Sequence, residues 1–189
     1  EVVEDVVTAK RRAADNAAPL FEDGSTFMTH DYSSTVLEAV ENAVGEGCHL
    51  EAYVLEARPR YLGRKTARVL GEIDYVDTHL IVDSAAGHFM DECDRVFTGM
   101  DCIVDETLYN RVGTFPLVAT ANEVDVPVTT IGPSAKIVGE GFRFENDFRS
   151  ASEVIREPAE GFSVENPAYD ATPTRLLDSV VTDEGTWEY

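Results

Sequence analysis

The sequence predicts an α/β domain, Rossmann-like and doubly wound, with a mostly parallel sheet carrying helices on both faces. Two observations predict it. From residue 25 onward, short apolar runs of strand length alternate with stretches whose apolar residues recur at helical spacing, the pattern of strands joined by crossover helices. The chain also has 189 residues, 43% of them apolar, enough for one domain with a sizeable core.

The elements follow in order. Val2, Val3, Val6 and Val7 open an amphipathic segment, so residues 1–19 are expected to form a helix; the chain starts at Glu1 rather than Met, and an upstream region is expected. Residues 20–189 form the main domain. After the turn at Asp23-Gly24, Ser25 to His30 is the first strand, and Val36, Leu37, Val40 and Val44 mark a helix that stops at Gly45 and Gly47. Leu50 to Leu55 is the second strand, followed by a helix carrying Leu62, Val69, Leu70 and Ile73. His79 to Val82 is the third strand, Ala85 to Met90 a short helix, and Asp94 to Phe97 the fourth strand. Phe115 to Val124 is a helix leading to a buried strand at Val126 to Ile131, whose Pro127 sits near its start, where a missing N–H is tolerated. Residues 139–168 are broken by Gly139, Gly141, Pro158 and Gly161 and should be loops and short edge pieces. The pair Thr172-Pro173 suits a helix start, and Val180-Val181-Thr182 a last strand.

Charge narrows the function classes. Asp and Glu outnumber Lys and Arg 36 to 15, a formal charge of -21, which repels nucleic-acid phosphates and anionic membranes. Only Lys10, Lys65 and Lys136 are lysines. Acids spread along the chain and scarce lysine predict a salt-adapted, archaeal-type cytoplasm, where molar salt shortens the Debye length to about 3 Å. Cys48, Cys93 and Cys102 share no CxxC spacing, so reduced thiols are expected and neither a metal nor a cofactor is indicated. No apolar run approaches the roughly 18 residues of a membrane span, and no leader stands at the start.

In an open parallel sheet, ligands bind beyond the carboxyl ends of the strands. The polar residues there are His30, Asp31, Tyr32 and Ser33 after the first strand, Glu56 and Arg58 after the second, Asp83 and Ser84 after the third, Asp101 after the fourth and Lys136 after the fifth. Asn110, Arg111, Gly113 and Thr114 precede the helix between the last two. Each also has an ordinary structural role open to it. Ser33, Ser84 and Thr114 suit helix caps, Glu56 and Arg58 suit a local ion pair, His30 a structural hydrogen bond, and Gly113 close packing.

Taken together, Met-Thr-His-Asp-Tyr-Ser-Ser (28–34), Glu-Ala-Arg-Pro (56–59) with Gly63, Asp-Ser-Ala-Ala (83–86), Gly-Met-Asp (99–101), Asn-Arg-Val-Gly-Thr (110–114) and Asn-Pro-Ala-Tyr-Asp-Ala-Thr-Pro (166–173) resemble the initiation factor 2B alpha/beta/delta family. That family includes ribose-1,5-bisphosphate isomerase and methylthioribose-1-phosphate isomerase. The resemblance implies that its isomerases move protons with a cysteine in Thr-His-Cys-Asn and an aspartate in Gly-Ala-Asp. Here Asp101 keeps the aspartate and Asp31 takes the cysteine's place. A carboxylate is a poor substitute for a thiol unless its pKa is raised, whereas Thr-His-X-Tyr-Ser is similar to the regulatory subunits. The expectation is therefore a non-isomerase regulatory or binding protein, with a sugar-phosphate aldose-ketose isomerase as the alternative.

The same resemblance implies a phosphate-binding set of His30, Ser33, Arg58, Asn110, Arg111, Gly113, Thr114 and Lys136. It implies a homo-oligomer, a dimer first, with initiation factor 2 subunits and a phosphorylated small molecule as further partners. It also implies an N-terminal helical domain, whose last helix would be residues 1–19.

Overall fold

The structure is a computed structural model that describes residues 2–189. Its main sheet has seven strands: β1 (Thr26–His30), β2 (Leu50–Leu55), β3 (Val76–Ile81), β4 (Arg95–Thr98), β7 (Val128–Ile131), β10 (Ser179–Thr182) and β11 (Gly185–Glu188), in the spatial order β11-β10-β7-β4-β1-β2-β3. All pairs are parallel except β10 with β11. The fold class is the expected one. From β1 the chain builds outward through β2 to β3, then jumps back to β4 on β1's other side. The order therefore reverses between β1 and β4, and the crevice at that switch point is where such sheets hold ligands.

Among the described residues, five α-helices cover the sheet: α1 (Val2–Ala17), α2 (Ser34–Gly45), α3 (Leu62–Gly71), α4 (Ala86–Phe89) and α5 (Thr114–Glu123). The core divides accordingly into two clusters. One joins α1 and α2 to a stacked Phe21–Phe97 pair (3.8 Å between centroids), with Phe27 edge-on to Phe21 at 5.1 Å. The other packs α4 and α5 over Met28, Val96, Val128 and Val180. On α1, Ala13, Ala14 and Ala17 are fully buried, small side chains that let the helix lie close against α2 and β10. Asn16 Nδ2 donates to the Thr182 carbonyl at 2.8 Å and fixes the helix's register.

A second, four-stranded sheet was not anticipated. Its order is β8 (Ile137–Val138), β5 (Cys102–Val104), β6 (Thr107–Arg111) and β9 (Tyr169–Pro173). The β5–β6 hairpin turns at Asp105 and Glu106, both at positive φ (44° and 60°). That is the two-residue turn usually announced by Asn-Gly or Asp-Gly, so its sequence signal is weak. Thr172-Pro173 ends β9, and only a single 3-10 turn (Thr174–Leu176) follows where a helix was expected. The stretch 139–168 is irregular, as its breakers predict, and is pinned by an isolated bridge between Phe148 and Pro167.

Candidate active site

The end of β1 turns sharply. Asp31 takes a left-handed φ of 63°, and its carbonyl accepts a bond from Thr66 Oγ1 at 2.5 Å. The residue is buried, and its carboxyl lies 3.9 Å from Arg111 Nε. Burial pushes its pKa up, His30 and Arg111 oppose that, and Asp101 adds to it by like-charge repulsion. His30 beside it is buried, and among the described residues neither ring nitrogen has a partner. Burial lowers its pKa against the pull of Asp31, Asp83 and Asp170, so the ring is neutral.

The end of β4 meets the start of α2. A Cβ at residue 99 would lie 2.7 Å from Ser33 Oγ, so only glycine lets the two approach while Ser33 caps α2 by accepting from the Val36 N–H at 3.3 Å. Asp101 follows, its pKa raised by burial and drawn back by Arg111 and Lys136. Beyond β7, a single turn (Ser134–Lys136) presents Lys136, whose Nζ donates to the Met100 carbonyl at 2.8 Å. Burial lowers the pKa of this lysine. Asp183 anchors the turn, accepting from Ser134 N at 2.6 Å and Ser134 Oγ at 3.1 Å.

From the second sheet, β6 delivers Asn110 and Arg111. Asn110 Nδ2 donates to Thr114 Oγ1 at 3.2 Å, and Thr114 Oγ1 donates to the Arg111 carbonyl at 2.6 Å. The structure thus brings His30, Asp31, Ser33, Asp101, Asn110, Arg111 and Lys136 together around one cleft of about 240 Å³ at the switch point. Lys10 of α1 also lines it, and nothing in an amphipathic pattern signalled that residue.

Three expected phosphate contacts lie elsewhere. The N–H groups of Gly113 and Phe115, which open α5, both donate to Asp170 Oδ2, at 2.8 and 3.0 Å. A carboxylate of the protein itself therefore neutralises that helix end. Thr114 is fully buried, and neither it nor Gly113 faces the cleft; Gly113 instead packs on His30, whose Nε2 would be 2.6 Å from a Cβ there. Arg58 lines a narrower crevice beside the cleft, with Arg60, Arg111 and Arg149. Its Nη2 donates to the Val154 carbonyl at 2.6 Å, and Glu56 pairs with Arg64 at 3.1 Å in its place. Cys102, next to Asp101, pairs in register with Tyr109 in the second sheet and does not line the cleft, so it is no stand-in for the missing thiol.

A family profile described as the initiation factor 2 subunit family matches residues 1–189. The chain belongs to the initiation factor 2 subunit family. Within that family it is 36% identical to the ribose 1,5-bisphosphate isomerase of Haloterrigena turkmenica, over 98% of this chain and 61% of that protein. Six archaeal proteins bearing that name match at 31–37% identity, against 26–29% for two relatives named as putative initiation factor subunits. Among solved structures, the A. fulgidus translation initiation factor eIF-2B subunit delta aligns with a TM-score of 0.89 at 28% identity, over 98% of this chain and 59% of that one. The 5-methylthioribose 1-phosphate isomerase of Pyrococcus horikoshii aligns at 0.87 and 25%, over 98% and 57%. The chain spans about three fifths of the length of the relatives it matches.

These similarities overturn the expectation of a non-enzymatic regulatory member, because the stronger matches carry the isomerase name. The condition under which a carboxylate can replace the thiol is met as well: Asp31 is buried and its pKa is raised, so it holds a proton more tightly than an exposed aspartate. Among the described residues, no helix is long and apolar enough to cross a membrane.

Proposed function

We propose that this chain carries the catalytic cleft of an aldose-ketose isomerase acting on a phosphorylated pentose of the ribose-1,5-bisphosphate kind. One observation carries the reading: two carboxyls raised by burial, Asp31 and Asp101, share a cleft with Arg111 and Lys136 at the topological switch point. Isomerisation moves one proton off carbon 2 and returns one to carbon 1, so it needs a base and an acid whose pKa values are split by their surroundings. Asp101, whose raised pKa is drawn back by Arg111 and Lys136, is assigned the base. Asp31, whose pKa is raised by burial and further by Asp101 against the pull of His30 and Arg111, is assigned the acid. Arg111 and Lys136 face the phosphate oxygens, with Ser33 and Asn110 on the sugar hydroxyls.

The acid excess supports work in a molar-salt cytoplasm, and a two-fold dimer is the commonest assembly among homo-oligomers in general. The test is an assay of ribose-1,5-bisphosphate conversion by the full-length protein in molar potassium chloride. Turnover on the order of 1 per second or more, lost in both Asp31→Asn and Asp101→Asn, supports the proposal. No turnover by folded parent protein overturns it.

A further inference from the structure

The three lysines of this chain, so few among its 15 basic residues, gather at one place. Lys10 and Lys136 line the cleft, and Lys65 Nζ sits 4.1 Å over the ring of Tyr32, which also lines it. Lys136 comes from the turn after β7, but Lys10 comes from α1, an element outside the sheet. Both line the same cleft, and the charge of Lys10 reaches Lys136. Among the described residues, neither forms a salt bridge. Asp101 tempers Lys136 from within the cleft, but one carboxylate shared with Arg111 leaves two ammonium groups facing one space, which repel unless a further anion stands between them.

Two further features point the same way. The first turn of α2 opens onto the cleft at Ser34 and Thr35, whose N–H groups have no partner inside a helix. His30, 4% exposed, lines the same space with both ring nitrogens unbonded. We propose that Lys10 is a substrate-binding residue that pairs with Lys136 across a phosphate group, so that α1 closes the phosphate end of the cleft. This rests on the sugar-phosphate reading above for its ligand and adds a residue and an element to it.

Binding can be measured without turnover, which keeps the two proposals separable. Isothermal calorimetry on the full-length protein with ribose 5-phosphate, and with ribose as the unphosphorylated control, should show binding of the phosphate ester alone. Lys10→Gln should weaken it about tenfold, the loss expected for one charge-assisted contact, and Lys10→Arg should recover most of it. Arg11→Gln, one residue along and 68% exposed, should change nothing. A second measurement needs no variant: phosphate should protect Lys10 several-fold from acylation by an activated ester, read by mass spectrometry, whereas sulfate-free buffer with ribose alone should not. Unchanged affinity in Lys10→Gln, or Lys10 acylated at the same rate with and without phosphate, overturns the inference. If turnover is absent yet binding still depends on Lys10, the isomerase reading fails and this one stands; if turnover proceeds with an unchanged KM in Lys10→Gln, the reverse holds.

Discussion

Arg111 Nε lies 3.9 Å from Asp31 Oδ2, too far for a hydrogen bond but near enough to act on its charge. The same guanidinium draws down the pKa of Asp101. One cation on β6 thus sets the balance between two carboxyls that arrive from different strands of the main sheet.

Replacing Arg111 with Met should therefore raise the pKa of both carboxyls. Asp101 must be ionised to act as base, so the acidic limb of the kcat/KM profile should move to higher pH, with a loss of at least about tenfold at neutral pH. A pH-rate series on parent and variant checks this. An unmoved acidic limb would show that Arg111 only binds substrate.

Asp31 is assigned as the acid, so activity should fall as pH rises through its raised pKa. A thiol has a reference pKa of about 8.5, so Asp31→Cys should stay active and carry its alkaline limb to higher pH. Asp31→Asn, isosteric but unable to give up a proton, should lose about 10²- to 10⁴-fold in kcat. Equal activity of the Asn and Asp proteins would remove Asp31 from the chemistry.

The same burial has a stability consequence. A carboxyl whose folded pKa lies above its unfolded value near 3.8 makes the fold bind protons more tightly than the unfolded chain. Its contribution is thus most favourable below the unfolded value and falls as pH rises toward the folded one. At neutral pH, Asp31→Asn should melt at a higher temperature than the parent, and at pH 3 the difference should shrink. Thermal melts at both pH values test the sign.

Gly99→Ala should place a methyl 2.7 Å from Ser33 Oγ. The strand end or the α2 cap must give way, at a cost of about 1–3 kcal/mol, and the cleft should distort with it. A denaturation midpoint together with kcat checks both effects; parent-like values in both would mean that the approach of β4 to α2 is slack.

Cooperative folding should need concentrated salt, since a formal charge of -21 opposes compaction until it is screened. Circular dichroism melts across potassium chloride concentrations measure this. A cooperative, unshifted melt in almost salt-free buffer would contradict it.

The parallel strands of the main sheet and the helices between them were legible because each rests on a local pattern: β2 matches its expected bounds at Leu50–Leu55, and α2 runs to Gly45 as its breakers predict, whereas the antiparallel edge strand β11 was not expected. The cleft residues that follow β1, β4 and β7 were legible for the same reason, since topology alone puts strand ends together. The β5–β6 hairpin was not, because Asp105 and Glu106 reach left-handed conformations without the glycine that would announce them. Nor was the sealing of the α5 start, where Asp170 is 57 residues from the Gly113 N–H that it accepts.

The sequence by itself determined the alternating α/β order, the family likeness, the acidic surface and the presence of aspartate at position 31. Only the tertiary structure decided what that aspartate is chemically, because a pKa depends on desolvation and neighbouring charges that come from β6 and the end of β4 rather than from adjacent residues. It also decided that Lys10 belongs to the cleft. A helical pattern specifies which face of α1 is buried, but where that face docks depends on close packing against α2 and β10, and only that docking carries Lys10 to the space that Lys136 faces.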